Sequence, residues 1–152
     1  MRSSISGLLA VLAILVVPAA SEAGTISYQS GSEQQVLTLI NQIRQQHRLA
    51  RLTLSTPLRG VARAHSLDML QNAYFDHADD DGMYSGSLSG ETIAWGVGSY
   101  GTPSGLVGQW MRSAPHRALI LMPGIRRVGI GIALGTYGTT RNAVMATADF
   151  SS

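Results

Sequence analysis

The chain has 152 residues with 11 basic side chains, 9 acidic ones and no cysteine, a length that predicts one compact domain needing neither disulfide nor structural metal to fold. The absence of cysteine excludes a disulfide framework, a thiol nucleophile and thiolate-held zinc or iron–sulfur centres. Every basic residue is Arg, which excludes a Schiff-base lysine and a Walker A loop, and the scattered arginines with a net charge of +2 give no basic stripe for nucleic acid.

The chain opens with Arg2, then ten unbroken apolar residues from Leu8 to Val17, Pro18, and small residues at Ser21 and Ala23. This is the layout of a secretory signal peptide over residues 1–23, and the run is too short for the roughly 20 residues of a membrane span. Export is therefore expected, to the periplasm or the medium. Residues 24–32 read as a short polar leader, and residues 33–152 as the domain.

Ser32 with Gln35 forms a capping-box pattern. Val36, Leu39, Ile40 and Ile43 then mark one face of a first helix reaching about His47, with Arg44 and Arg48 expected on its solvated side. Ser55-Thr56-Pro57 opens a second helix whose apolar face carries Leu58, Val61, Ala62, His65 and Met69. The polar run from Asp79 to Gly90 is expected as a long loop. Its Asp79-x-Asp81-Gly82 fragment puts His77 and Leu88 where an EF-hand needs carboxylates, so a solvated acidic turn is the better reading. Glu91–Gly96 suits a short strand, and Thr102-Pro103-Ser104 opens a third helix ending near Pro115. Val128, Ile130, Ile132 and Leu134 alternate with Gly129, Gly131 and Ala133, predicting a strand with one small-residue face. Ala143–Phe150 is its antiparallel partner across a turn at Gly135–Thr140.

Gly96-x-Gly98-x-x-Gly101 matches a dinucleotide fingerprint in letters only. The ribose-binding acid expected ~20 residues later is missing, so no nucleotide cofactor is predicted. Neither GxSxG nor HExxH occurs.

The four histidines are the informative side chains. His47 reads as surface. His65, at helical spacing among apolar residues, reads as a hydrogen-bonded core or lining histidine. His77 and His116 each follow a predicted helix end, beside polar residues. Glu91 stands alone at the start of an apolar strand, where a carboxylate needs a partner. Two imidazoles and a carboxylate form a possible zinc set with an open position. The alternative is a loop pinned by hydrogen bonds, and sequence distance does not choose between them.

Six segments in order resemble the CAP superfamily of cysteine-rich secretory proteins, antigen 5 and pathogenesis-related 1 proteins, and most of all its short secreted bacterial members. They are VLTLINQIRQQHRLARL, ARAHSLDML, YFDH, GETIAWG, QWMRSAPHRALIL and RRVGIGIA, together spanning about Glu33 to Phe150. The resemblance implies an α+β fold, a three-layer α-β-α sandwich around a small antiparallel sheet. It also implies a central cavity with two His and two acidic residues. His77, Glu91 and His116 match three of the four. Ser113 stands at the place of the second glutamate, and Thr92 replaces the Asn of the family's Gly-Glu-Asn-Ile motif. The implied metal ligands are thus His77, His116 and Glu91, with Ser113 and His65 lining the cavity and Zn²⁺ the ion that suits imidazole. The resemblance implies a secreted binding module for lipid, cell-envelope glycan or a partner protein. The alternative is a metal-dependent hydrolase of peptides or envelope polymers, with Glu91 as ligand or general base.

Overall fold

The computed structural model describes residues 25–78 and 88–152. The expected signal peptide and the Asp79–Gly82 turn lie outside them. Ten elements follow in order: β1 (Ser27–Tyr28), α1 (Ser30–Gln46), β2 (Thr53–Leu54), α2 (Thr56–Asn72), β3 (Leu88–Gly96), a 3-10 turn (Gly98–Gly101), α3 (Pro103–Arg112), α4 (Ala114–Ile120), β4 (Arg127–Tyr137) and β5 (Thr140–Ser151). The sheet runs β1-β4-β5-β3, with β2 pairing in parallel with the start of β4 and all other pairs antiparallel.

The period-two pattern of β4 builds the layers. Val128, Ile130 and Ile132 face a core shared with Val36, Ile40, Leu106, Trp110 and Ile120 from α1, α3 and α4. Gly129 and Gly131 face α2, where an added Cβ would overlap the backbone of Leu58–Arg59 and Ala62–Arg63. The helix therefore rests almost directly on the strand, and Met69 and Leu70 pack with Ile93, Ala133 and Met145 further along. The α-β-α order expected from the family resemblance is the order found.

Four local expectations are corrected. Residues 27–28 of the supposed leader join the sheet, and Gln29 N–H donates to the Ile132 carbonyl at 2.9 Å. That pairing starts α1 at Ser30, three residues early, so Ser32 is not its cap and the capping box does not form. Pro115 does not end the third helix; it occupies the first turn of α4, where a missing N–H costs nothing. The glycines at 101 and 105 serve close packing. A Cβ on Gly101 would meet the Gly96 carbonyl oxygen at 2.9 Å, and one on Gly105 would overlap the Ser99 carbonyl oxygen.

Arg44 is the fourth. Expected on a solvated face, it is fully buried. Its guanidinium donates to the carbonyls of Ala50 (2.8 Å), Ile120 (2.6 Å), Met122 (3.1 Å) and Ile125 (3.3 Å). Five donors in a planar fork meet several carbonyls at once, which replaces the lost water. Burial, and then Arg126 nearby, lower its pKa from the usual arginine range.

Candidate functional site

The site forms where α2 ends and β3 begins. Ala73 closes α2 in a left-handed conformation, and the chain turns back along β3 through Tyr74–His77. His65, near the middle of α2 and 8% exposed, has Nε2 at 3.1 Å from the Asp76 carbonyl, which ties the returning segment to the helix. The Asp76 carboxylate accepts from the His77 N–H at 2.8 Å.

Glu91 is the centre. Its Oε1 lies 2.7 Å from His77 Nδ1 and 3.3 Å from the Ala78 N–H. Its Oε2 is buried without a hydrogen bond and faces His65 Nε2 at 3.6 Å. The Glu91 side chain is 11% exposed and that of His77 50%, so the carboxylate sits beneath the imidazole. A carboxylate only accepts, so His77 Nδ1 carries the hydrogen, and in the neutral ring Nε2 is the nitrogen with the lone pair. The His116 ring, in the first turn of α4, meets the His77 ring edge-on with centroids 5.6 Å apart. Burial, then His77, lower the His116 pKa against the opposing pull of Glu91, which favours its neutral form.

The structure thus brings together His77, Glu91 and His116, and sets His65, expected as a core or lining histidine, 3.6 Å from Glu91 Oε2. His116 sits inside a helix rather than after one, as Pro115 starts α4. Ser113 is half-buried at the α3–α4 junction, and its side chain does not cap α4. Among the described residues no three His, Asp or Glu side chains converge as a metal cage. The arrangement is two touching imidazoles with a carboxylate behind one of them.

One group was missed. Asp149 on β5 is the direct cross-strand partner of Glu91. It is wholly buried, and among the described residues neither carboxyl oxygen has a hydrogen-bond partner. Burial first, then Glu91, push its pKa up to about 8. A signal existed: Asp149 is the one charged residue in AVMATADF, the same kind of anomaly that singled out Glu91.

Residues 37–150 match the family described as "CAP: Cysteine-rich secretory protein family". The chain belongs to the CAP family. Two curated relatives come from Bacillus subtilis (strain 168). The chain is 38% identical over 112 residues to the protein YkwD, covering 67% of this chain and 42% of YkwD. It is 33% identical over 114 residues to the membrane protein YlbC, covering 68% of this chain and 32% of YlbC. The chain therefore spans less than half the length of either relative. Among solved structures, an outer surface protein of Borrelia burgdorferi superposes with a TM-score of 0.71 at 17% identity, over 85% of this chain and 98% of that one. An extracellular SCP-domain protein of Bacillus anthracis gives 0.62 at 23% identity, over 81% and 41%. These likenesses show that the CAP fold is shared.

Proposed function

We propose that this CAP domain is an extracellular binding module whose His77 and His116 imidazoles hold a divalent transition metal, with Glu91 orienting His77 from behind. The observation that carries the reading is the 2.7 Å contact between Glu91 Oε1 and His77 Nδ1. Metal-bound histidines commonly give their second ring N–H to a carboxylate, which fixes the ring and raises its basicity. The contact leaves His77 Nε2 as the donor atom on a half-exposed ring, beside a His116 whose neutral form is favoured. Imidazole donors suit Zn²⁺ or Cu²⁺ over Ca²⁺ or Mg²⁺. Glu91 is accordingly an orienting group rather than the ligand suggested by the resemblance. Two protein donors leave positions on the ion for an oxygen-bearing ligand, such as an envelope glycan or a partner's side chain. An extracellular setting fits the expected N-terminal export signal and the descriptions of the neighbours as outer surface and extracellular proteins.

Binding is favoured over hydrolysis because a hydrolase needs a base that reaches substrate. Glu91 Oε1 is engaged by His77 and Ala78, and Asp149 is sealed in the sheet.

Calorimetric titration of the metal-free chain with Zn²⁺, beside a His77→Ala/His116→Ala variant, tests the reading. One-to-one binding lost in the variant supports it. No binding, or equal binding by the variant, refutes it.

A further inference from the structure

The arginines scattered in sequence are gathered by the fold. α1 ends at Gln46, and Arg48 and Arg51 lie in the connection from there to β2. β2 pairs in parallel with the start of β4, with Thr53 opposite Arg127 and the Thr53 N–H donating to the Arg126 carbonyl at 2.9 Å. Buried Arg44 ties the same region together, linking the Ala50 carbonyl to those of Ile120, Met122 and Ile125. Arg48, Arg51, Arg126 and Arg127 therefore share one end of the domain, and all four are exposed. Among the described residues Arg126 donates to the carbonyls of Pro123 and Ile125, and Arg127 donates to the main-chain oxygen of Ser152, the last of them. Among the described residues the sole arginine paired with an Asp or Glu side chain is Arg63, with Glu33. The exposed carboxylates among them, Asp68 and Asp76, lie in the last turns of α2 and just after it.

Two large apolar side chains flank the arginines. Leu54 of β2 is 36% exposed and Met122, after α4, is 39% exposed. Guanidinium groups pair bidentately with phosphate, and an apolar side chain within a basic surface is what a headgroup–acyl boundary accommodates. A soluble polyanion would use the charges and leave Leu54 and Met122 in water.

We propose that this arginine-lined end of the domain is a docking surface for an anionic phospholipid bilayer, with Arg48, Arg51, Arg126 and Arg127 meeting headgroup phosphates and Leu54 and Met122 entering the acyl boundary. The surface is formed by the α1–β2 connection and the start of β4, whereas the His77–Glu91 site lies at the β3 edge. The inference does not depend on the metal reading.

The test is sedimentation of the full chain with vesicles of phosphatidylcholine alone and of phosphatidylcholine mixed with phosphatidylglycerol, beside an Arg48→Ser/Arg51→Ser variant. Neither side chain makes a hydrogen bond among the described residues, so the variant is expected to fold. Both proteins carry the same N-terminal apolar segment, so their difference isolates the arginines. The wild type should prefer the anionic vesicles, the preference should fade with salt, and the variant should bind them about 25-fold more weakly, or about fivefold per charge. Met122→Ser should weaken vesicle binding and leave binding to soluble polyphosphate unchanged. Overturning results are an anionic preference undiminished in the arginine variant, or binding to polyphosphate with no preference for anionic vesicles.

Discussion

Glu91 on β3 and Asp149 on β5 stand directly opposite each other in the sheet, and three of their four carboxyl oxygens are buried without a hydrogen bond. Two adjacent buried carboxyls do not both ionise cheaply. The division is set by surroundings: Glu91 has His77, His65 and the Ala78 N–H around it, while Asp149 has no donor. Asp149 is the one that keeps its proton.

That arrangement makes stability depend on pH with a definite sign. The Asp149 carboxyl is raised from the ordinary range to about 8. Between about pH 4 and that value the unfolded chain releases the proton while the folded chain retains it, so stability falls as pH rises. Below the window both states are protonated, and above it both are ionised. Each unit of displacement corresponds to about 1.4 kcal/mol. Asp149→Asn, neutral and nearly isosteric, should be more stable than wild type at pH 8 and nearly equal at pH 4. Urea denaturation of both proteins across this range is the measurement. A stability difference that does not change with pH would refute the assignment.

Glu91→Gln keeps the shape and removes the charge behind His77. If Glu91 acts by orienting His77, Zn²⁺ affinity should fall about 10–100-fold without vanishing. Calorimetry distinguishes this from His77→Ala, which should abolish binding. Unchanged affinity in Glu91→Gln would remove the carboxylate from the site's design.

Arg44→Met removes a buried cation and leaves the Ala50, Ile120, Met122 and Ile125 carbonyls without their donor. A loss of about 3 kcal/mol or more is expected. Arg44→Lys should recover little, since a single ammonium cannot reproduce the fork. Chemical denaturation reads both, and a loss below about 1 kcal/mol in Arg44→Met would contradict this role.

Gly131→Ala places a methyl group into the backbone of α2 at Ala62–Arg63. Lifting the helix costs about 1–3 kcal/mol or more by overpacking and strains the Ser66 Oγ hydrogen bond to the Gly131 carbonyl at 3.0 Å. His65 adjoins Ser66, so Zn²⁺ affinity measured on the folded fraction should fall as well. Gly138→Ala, at an open turn position with φ of +57°, should cost stability through backbone strain and leave the metal site unaffected.

Most of the fold was legible because its signals are local. Alternation of Val128, Ile130 and Ile132 with Gly129 and Gly131 set both the strand and its two faces. Pro57 and Pro103 marked helix starts, since a ring-locked φ and a missing N–H suit a first turn. Pro115 misled because the same residue serves as a stop after one helix and a start for the next, and only the packed position of α4 distinguishes them. β1 and β2 were missed because two-residue strands have no periodicity; β4 supplies their hydrogen bonds from about 75 to 105 residues away in sequence.

The candidate site divides in the same way. His77, Glu91 and His116 were identified by residue type, by their anomalous settings and by family resemblance, all of which are properties of the chain. Ser113 stands where the family's second glutamate is expected, the buried Asp149 was not singled out, and Arg44 was assigned to water and found buried. Charge and helical spacing cannot tell which polar side chain the tertiary structure will enclose. By itself the sequence determined the family, the three longer helices and the three long strands, and it singled out the imidazoles. The tertiary structure alone decided that Glu91 faces Asp149, that His65 closes on Glu91 and that four distant arginines share one end. Each of these depends on strand register and helix docking, where side chains remote in sequence meet only after the backbone has closed around them.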